Sequence, residues 1–281
     1  MQLSDVVAGG EVLVLSGAGL STESGIPDYR GPTGALRRSL PMTYQLFTRD
    51  PAARQRYWAR SQIGWQHLAG SDPNAGHRAV ADLGALGLLS GVVTQNVDGL
   101  HGAAGSRDVV ELHGAIDRVA CLGCRARTTR RELDERLRAA NPTFDAVASA
   151  LNPDGDVDLT DADVAGFRVV DCLACGGLLK PDVVFFGENV PPNTVARCYD
   201  LVDRSRAMVV LGSSLTVFSG LRFVRRATEN GVPVAIVNQG VTRGDPLATL
   251  KVDAALGDVL PALVADVAAR VSASRGVPAA D

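Results

Sequence analysis

The chain has 281 residues, of which 46% are hydrophobic and 21% are charged, a composition typical of a globular protein with one large domain or a large domain that carries a small one. Its formal net charge of −3 argues against direct nucleic-acid binding through phosphate neutralisation, because such proteins carry a surplus of basic residues. No apolar run reaches the ~18 residues that span a bilayer, and the amino-terminal stretch lacks the features of a signal or transit peptide. We therefore expect a cytoplasmic protein with no membrane partner.

Short apolar strands alternate with helical patterns along the chain. The first strand, at 12–15, runs into the glycine turn Gly17–Ala18–Gly19, and Ser21 and Thr22 then offer oxygens that can cap a helix. Similar apolar runs recur in GVVTQN, AMVVLGSS and VPVAIVNQG. Helical patterns occupy 76–88, 194–205, 220–230 and 256–271. This order predicts an α/β fold, a Rossmann-like parallel sheet with helices on both faces.

Two stretches interrupt this alternation and predict a small lobe. The first, at 32–73, is helical, aromatic and rich in arginine, and the second, at 115–179, contains four cysteines. We expect the two stretches to pack together as a helical module and a zinc-binding module. The Rossmann-like domain then consists of 1–31, 74–114 and 180–281.

Four of the five cysteines form two C-x-x-C pairs, Cys121 with Cys124 and Cys172 with Cys175. Two such pairs supply the four thiolates of a tetrahedral Zn²⁺ site, and a site with four protein ligands is structural because no position remains for water or substrate. The alternative is two separate redox-active or buried pairs. Cys198 stands alone in a helical segment and is expected to be a small buried hydrophobic residue.

Polar residues follow the predicted strands where ligands bind in α/β proteins. Gln95, Asn96 and Asp98 end one strand, and the segments 212–214 and 238–240 end two others. The carboxyl ends of parallel strands meet at one edge of a sheet, which is the usual ligand-binding edge. Alternation along the strand directs Asn96 and Asp98 to the same side.

The segment after the glycine turn departs from the ordinary dinucleotide fingerprint. Thr22 stands where a third glycine is expected, and the acidic residue that binds ribose about 20 positions further on is missing, which counts against an ordinary dehydrogenase. Instead, Pro27 stiffens a loop from which Asp28 and Arg30 are predicted to project. Arg30 suits phosphate or ribose oxygens, and Asp28 suits a carboxamide or hydroxyl. The alternative is a surface turn with a solvated ion pair.

The ordered motifs GAGLSTESGIPDYR, TQNVDGLH, ELHG, KPDVVFFGE, LGSSLTV and IVNQG, with the paired cysteines, resemble the sirtuin family of NAD-dependent protein deacylases over roughly 6–264. RYWAR, DRVACLGC and NPDGDV are most similar to class II sirtuins, the branch that holds the human mitochondrial sirtuin-4 lineage and many bacterial members. The resemblance implies NAD⁺ as co-substrate, one structural Zn²⁺ and acyl-lysine proteins as substrates. It leaves the oligomeric state open.

The predicted site residues follow from these motifs. NAD⁺ binding is assigned to Gly17, Ala18, Gly19, Ser21, Ile26, Asp28, Tyr29, Arg30, Gln95, Asn96, Asp98, Gly212, Ser213, Ser214, Asn238, Gln239, Gly240 and Leu256. The resemblance makes His113 the catalytic base and gives Asn96 the task of positioning ribose and water. His113 precedes Gly114, which is expected to let a ligand approach closely. A lone histidine can also be purely structural, as expected for His77 and His101.

By this resemblance, the acyl-lysine oxygen displaces nicotinamide from NAD⁺, and the products are free lysine, nicotinamide and O-acyl-ADP-ribose. Val184 and Phe186 are predicted to line the acyl-lysine tunnel, although part of their segment can be core strand. Tyr57 and Arg60 share a helix face and resemble a pair that binds acyl carboxylates; the alternative is a solvated surface helix.

Two other functions remain open from the sequence. One is protein mono-ADP-ribosyl transfer, which the resembled branch also suggests. The other is a zinc-ribbon binding module without catalysis, which would not require the QNVD and GIPDYR motifs.

Overall fold

The computed structural model describes residues 2–31, 41–146, 152 and 157–274. The strands are β1 Val12–Ser16, β2 Leu89–Thr94, β3 Val109–Glu111, β4 Gly114–Cys121, β5 Arg127–Thr129, β6 Leu179–Val183, β7 Ala207–Leu211, β8 Val234–Val237 and β9 Leu250–Val252. The α-helices are α1 Leu3–Ala8, α2 Tyr44–Arg49, α3 Pro51–Ala69, α4 Ala75–Ala85, α5 Leu100–Ala103, α6 Arg130–Ala140, α7 Asp161–Val164, α8 Pro192–Arg204, α9 Phe218–Glu229 and α10 Leu256–Ser274. No helix in these ranges is both long and apolar enough to cross a membrane.

Six strands form a parallel sheet in the order β3-β2-β1-β7-β8-β9. Every residue of the central strands β1 and β7 is buried, as a sheet covered on both faces requires. Alternation explains the two cores: Val12 and Val14 pack on the side of α4 and α10, whereas Leu13 and Leu15 pack on the side of α8 and α9. Full burial stabilises each such side chain by ~2 kcal/mol. The predicted Rossmann-like fold is confirmed.

A three-stranded antiparallel sheet, in the order β5-β4-β6, forms the core of the small lobe with α2, α3 and α6. Its apolar cluster joins Trp58 of α3 and Leu137 of α6 to Val119 of β4. The sheet extends a few residues beyond the predicted module, because β4 begins at Gly114 and β6 ends at Val183. The division into domains stays a prediction.

The chain passes from the large sheet to the small one at a tight junction. Strand β3 ends at Glu111 in the large sheet, and β4 begins at Gly114 in the small one. Gly114 has φ +78°, and a Cβ there would lie 2.0 Å from the backbone oxygen of Asp182. The interpretation that Gly114 admits a ligand was wrong: the group that approaches it is the protein's own backbone.

Two histidines lie buried beneath the carboxyl ends of the large sheet. The rings of His77 and His101 are 5.2 Å apart, and His101 Nε2 lies 2.8 Å from the hydroxyl of Ser16 at the end of β1. Burial lowers the pKa of His77 to about 4 and that of His101 to about 3. Both rings are therefore neutral at pH 7. His67, in contrast, is exposed on α3.

We expect Gly114→Ala to destabilise the protein by more than ~2 kcal/mol, because the side chain adds left-handed strain and displaces β6. Gly87→Ala is the matched control, since Gly87 has the same φ of +78° but a Cβ there would meet no atom within 4 Å. Urea unfolding of both variants measures the difference. Equal losses would contradict the role of the Asp182 contact.

Stability should fall in mild acid. The unfolded chain protonates its histidines near the usual pKa of about 6.5, whereas the folded chain keeps His77 and His101 neutral down to about pH 4 and 3. Unfolding therefore takes up protons as the pH drops below ~6.5, and the free energy of unfolding should decrease by at least ~2 kcal/mol between pH 7 and pH 5.

Urea titrations at the two pH values, with zinc present, check this expectation. His101→Gln should reduce the pH dependence, and the exposed His67→Gln should leave it unchanged. An unfolding free energy that is the same at pH 7 and pH 5 would contradict the expectation that the buried pair makes stability depend on pH.

Candidate functional site

A cavity of about 980 Å³ lies at the carboxyl ends of β1, β2, β7 and β8 and extends to the small lobe. Its wall contains all eighteen residues that the sequence assigned to NAD⁺ binding, and also His113, Val184 and Phe186. The structure therefore brings together residues that lie as far apart in the chain as Gly17 and Leu256. It does not bring Tyr57 or Arg60 to this wall.

The loops after β1 and β7 pack backbone against backbone on one side of the cavity. The amide of Gly19 donates to the carbonyl of Gly212 at 2.8 Å, and a Cβ at Gly17 would lie 2.7 Å from the Cβ of Ser213. Larger residues at these positions would separate the two strand ends. Because Gly17 and Gly19 have no side chains, the two loops can pack closely and their main-chain groups can line the cavity.

The turn after β1 is not followed by the expected α-helix. Two short 3₁₀ turns, Ala18–Leu20 and Thr22–Ser24, occupy this segment. The predicted capping by Ser21 and Thr22 was wrong, because Ser21 Oγ donates to Asp98 at 2.7 Å and Thr22 Oγ1 donates back to the carbonyl of Gly19.

Asn96 and Asp98 meet at the same hydroxyl. Asn96 Nδ2 donates to Ser21 Oγ at 2.9 Å and to the carbonyl of Gly17 at 3.0 Å, while Ser21 Oγ donates to Asp98. The backbone amide of Asn96 also donates to Thr94 Oγ1 at 3.1 Å. This network fixes a buried amide and a carboxylate on one side of the strand end, as alternation predicted.

His113 lies at the junction between the two sheets, with both ring nitrogens hydrogen-bonded. Nδ1 is 2.9 Å from the carbonyl of Gln95, and Nε2 is 2.9 Å from the hydroxyl of Ser219. A carbonyl can only accept, so the ring proton is assigned to Nδ1, and Nε2 accepts from the serine. The lone pair of Nε2 is therefore aimed at a group that lines the cavity.

The electrostatic surroundings keep His113 neutral. Burial lowers its pKa below the usual value, and the hydrogen bond to Gln95 opposes this shift only in part. The imidazole consequently presents a free base at neutral pH. A neutral ring of fixed tautomer can take a proton from a hydroxyl placed at Nε2.

The loop that carries Asp28 and Arg30 closes another side of the cavity. Arg30 is exposed, as expected, but Asp28 is buried and does not project into solvent. Tyr29 packs edge-on against Phe186 with ring centroids 5.8 Å apart. The backbone amide of Val184 donates to the carbonyl of His113 at 2.8 Å, which ties the predicted substrate segment to the predicted base.

Tyr57 lies behind the cavity wall, and Arg60 is not part of that wall. Tyr57 is 1% exposed and packs edge-on against Phe185, which does line the cavity. Arg60 forms an ion pair with Asp158 at 3.0 Å and also donates to the carbonyl of Val157. The guanidinium group of Arg60 is therefore already paired with a carboxylate of the protein. The role of the pair in binding an acyl carboxylate stays a prediction.

Sequence reasoning missed Ser219, Phe218 and Arg222, which also line the cavity. They lie at the start of α9, several residues after the strand end that was recognised at 212–214. The only sequence signal was their position, since a helix that follows a ligand-binding strand starts near the same edge of the sheet.

The four paired cysteines converge in the small lobe. Their sulfur atoms all lie within 4.8 Å of one another, with Cys121 and Cys175 3.5 Å apart and Cys124 and Cys172 3.7 Å apart. A zinc tetrathiolate with bonds of about 2.3 Å requires sulfur separations of about 3.8 Å, so the donor set fits Zn²⁺. The predicted tetrathiolate site is supported, and His113 is not part of it. Cys198 is fully buried on α8.

Comparison with known proteins identifies the family. A sequence profile of the Sir2 family matches residues 17–219. The chain is 63% identical over 250 residues to NAD-dependent protein deacetylase 1 of Streptomyces coelicolor, covering 89% of this chain and 84% of that protein. It is 55% identical over 270 residues to NAD-dependent protein deacetylase 1 of Mycobacterium avium, covering 94% of each.

Solved structures agree with this assignment. A Sir2–p53 peptide–NAD⁺ structure superimposes with a TM-score of 0.75 at 30% identity and covers 94% of this chain and 97% of that one. A Sir2 homologue–NAD complex gives a TM-score of 0.75 at 30% identity and covers 96% and 94%. The sequence profile, the relatives and the fold lead to one conclusion: this chain belongs to the Sir2 family.

Proposed function

We propose that this chain is an NAD⁺-dependent protein lysine deacylase, which releases nicotinamide, deacylated lysine and O-acyl-ADP-ribose. The observation that carries the proposal is the position of His113, whose Nε2 lone pair faces the cavity that Asn96 and Asp98 also line. Relatives named NAD-dependent protein deacetylases at 63% and 55% identity support the same activity. A cytoplasmic location stays a prediction.

The cavity wall offers donors for each part of the dinucleotide. Main-chain groups of the closely packed Gly17 and Gly19 turn suit the pyrophosphate, and the polar ends of β7 and β8 suit ribose and adenine. The half-buried carboxylate of Asp98 and the loop with the buried Asp28 suit the nicotinamide carboxamide. When bound, NAD⁺ supplies an electrophilic ribose carbon with nicotinamide as leaving group, and its ADP-ribose accepts the acyl group.

His113 is assigned the role of general base. The carbonyl of Gln95 holds the proton on Nδ1, so the basic lone pair stays on Nε2, and burial keeps the ring unprotonated at pH 7. A ribose hydroxyl that replaces the Ser219 hydroxyl at Nε2 can give its proton to this lone pair. Asn96, fixed by Ser21 and the carbonyl of Gly17, is placed to orient ribose and water.

The zinc ion has a structural role in this proposal. Cys121, Cys124, Cys172 and Cys175 would hold it with four thiolates, which leaves no coordination position for a reacting group. The ion joins the end of β4 to the segment before β6. It therefore braces β4 and β6, and β6 leads into the predicted substrate residues Val184 and Phe186. The ion takes no part in proton transfer.

Replacement of His113 tests the proposed function. We expect His113→Gln to lower kcat for deacetylation of an acetyl-lysine peptide by a factor of about 10² to 10⁴, because the general base is lost. His67→Gln, on an exposed face of α3, should retain full activity. The acid limb of the wild-type pH profile should lie below pH ~6.5, since burial lowers the pKa of His113.

Mass spectrometry of the products separates this function from its rival. O-acetyl-ADP-ribose formed with nicotinamide supports deacylation. ADP-ribosylated protein without that product would replace the proposal by mono-ADP-ribosyl transfer. An enzyme with no NAD⁺-dependent product at all, or a fully active His113→Gln variant, would contradict the assigned mechanism.

The Arg60–Asp158 ion pair leads to an expectation about the acyl group. A dicarboxylic acyl chain would have to displace Asp158 from Arg60, so acetyl-lysine should be hydrolysed with a higher kcat/KM than succinyl-lysine. Asp158→Asn should shift the ratio towards succinyl-lysine by about threefold to tenfold, because a competing charge is removed. Rates on paired peptides that differ only in the acyl group measure this ratio. A wild-type enzyme that prefers succinyl-lysine would show that Asp158 does not compete.

A further inference from the structure

A second cavity adjoins the first on the outer side of α9. It measures about 430 Å³ and is lined by Tyr199, Phe218, Arg222, Arg225, Arg226 and Glu229. Phe218 and Arg222 line both cavities, so the second is a continuation of the site. Phe218 directly precedes Ser219, whose hydroxyl lines the first cavity and lies 2.9 Å from His113 Nε2.

The arginines of this groove differ in how their charges are satisfied. Arg226 forms a two-point ion pair with Asp203 at 2.8 and 2.9 Å, and it also feels the charge of Glu229 at the far end of the groove. Arg222 and Arg225 form no ion pair with any residue in the described parts of the chain, and Arg222 Nε is buried without an acceptor there. The end of the groove nearest His113 therefore carries positive charge that the protein does not neutralise.

The two guanidinium groups are also held in place. Both lie against the ring of Phe218, with distances from the guanidinium carbon to the ring centroid of 4.9 Å for Arg222 and 5.8 Å for Arg225. Phe218 is 52% exposed, so the stack borders solvent. Guanidinium groups stacked in this way still present N–H groups at their edges, which suit a carboxylate.

We propose that Arg222 and Arg225 recognise an acidic side chain of the substrate protein close to the acylated lysine. The inference rests on the proposed function, because it places the acyl-lysine beside His113. Arg222 and Arg225 lie roughly 4.5 and 9 Å along the helix axis from Ser219, at 1.5 Å per residue. An extended peptide advances about 3.3 Å per residue, so the preferred acidic residue lies about one to three positions from the lysine.

Three acetyl-lysine peptides test the proposal, identical except for Glu, Gln or Lys at the positions within three residues of the acetyl-lysine. We expect wild-type kcat/KM to be roughly threefold to tenfold higher for the Glu peptide than for the Gln peptide at low salt, and the preference to shrink as salt screens the charges. Arg222→Gln and Arg225→Gln should each reduce this ratio.

Arg206→Gln is the matched control. Arg206 is exposed and precedes β7, at the end of the sheet opposite the cavity, and its side chain lies 3.9 Å from Glu11. This variant should keep the wild-type preference. A Glu-to-Gln ratio near one in the wild type, or an unchanged ratio in the Arg222→Gln/Arg225→Gln double variant, would overturn the proposal.

Two further measurements separate recognition of a peptide side chain from recognition of the acyl group and from catalysis. Succinyl-lysine in the Gln peptide tests whether the arginines bind an acyl carboxylate; a loss confined to this substrate in Arg222→Gln would overturn the assignment to a peptide side chain. Fluorescence anisotropy of the labelled peptides measures the Glu-to-Gln affinity ratio without catalysis. If no peptide is deacylated, the proposed function fails, while the affinity ratio still decides whether the groove binds acidic peptides.

Discussion

The close contact between Gly114 and the carbonyl of Asp182 determines how the two sheets of this protein meet. A chain that leaves a parallel sheet and enters an antiparallel one within three residues needs a sharp change of direction, and only a residue without a side chain fits there. His113 precedes this glycine, so its position is set by both sheets at once. Its carbonyl accepts from Val184, and its ring bonds Gln95 and Ser219. His113 is thus held by the large sheet, the small lobe and the start of α9.

The zinc site supports the junction at Gly114 from the opposite end of β4. Strand β4 runs from Gly114 to Cys121, a span of about 23 Å at 3.3 Å per residue. An ion at the far end fixes the separation of β4 from the segment before β6, and β6 leads directly into the residues that line the cavity. Aromatic packing also supports the residues that follow β6, because Tyr57 of α3 packs edge-on against Phe185. The metal and the aromatic cluster therefore stabilise the wall of the site.

The arginines near the cavity differ in whether a carboxylate of the same chain neutralises them. Arg60 is occupied by Asp158, and Arg226 is occupied by Asp203. Arg222 and Arg225 have stacking partners but no counter-ion among the described residues, and both line the groove on the outer side of α9. A cation that the fold positions but does not neutralise favours an external anion, since binding then creates a charge pair that the free protein lacks. The paired Arg226 and the unpaired Arg222 and Arg225 lie on the same face of α9. Position on the helix alone therefore does not show which arginine has a counter-ion.

The sequence by itself determined the parts of this protein that depend on local pattern and on the chemistry of residue types. Apolar runs followed by polar turns located the strand ends, and parallel strands bring their ends to one edge, so Asn96, Asp98 and the turns at 212–214 and 238–240 could be placed together. The paired cysteines indicated their ligand chemistry. Only the tertiary structure decided which distant groups touch: that Ser219 bonds His113, and that Asp158 pairs with Arg60. Helical spacing shows which side chains share a face of a helix. The residue that packs against that face comes from a segment about a hundred positions away, and no local sequence pattern encodes such a contact.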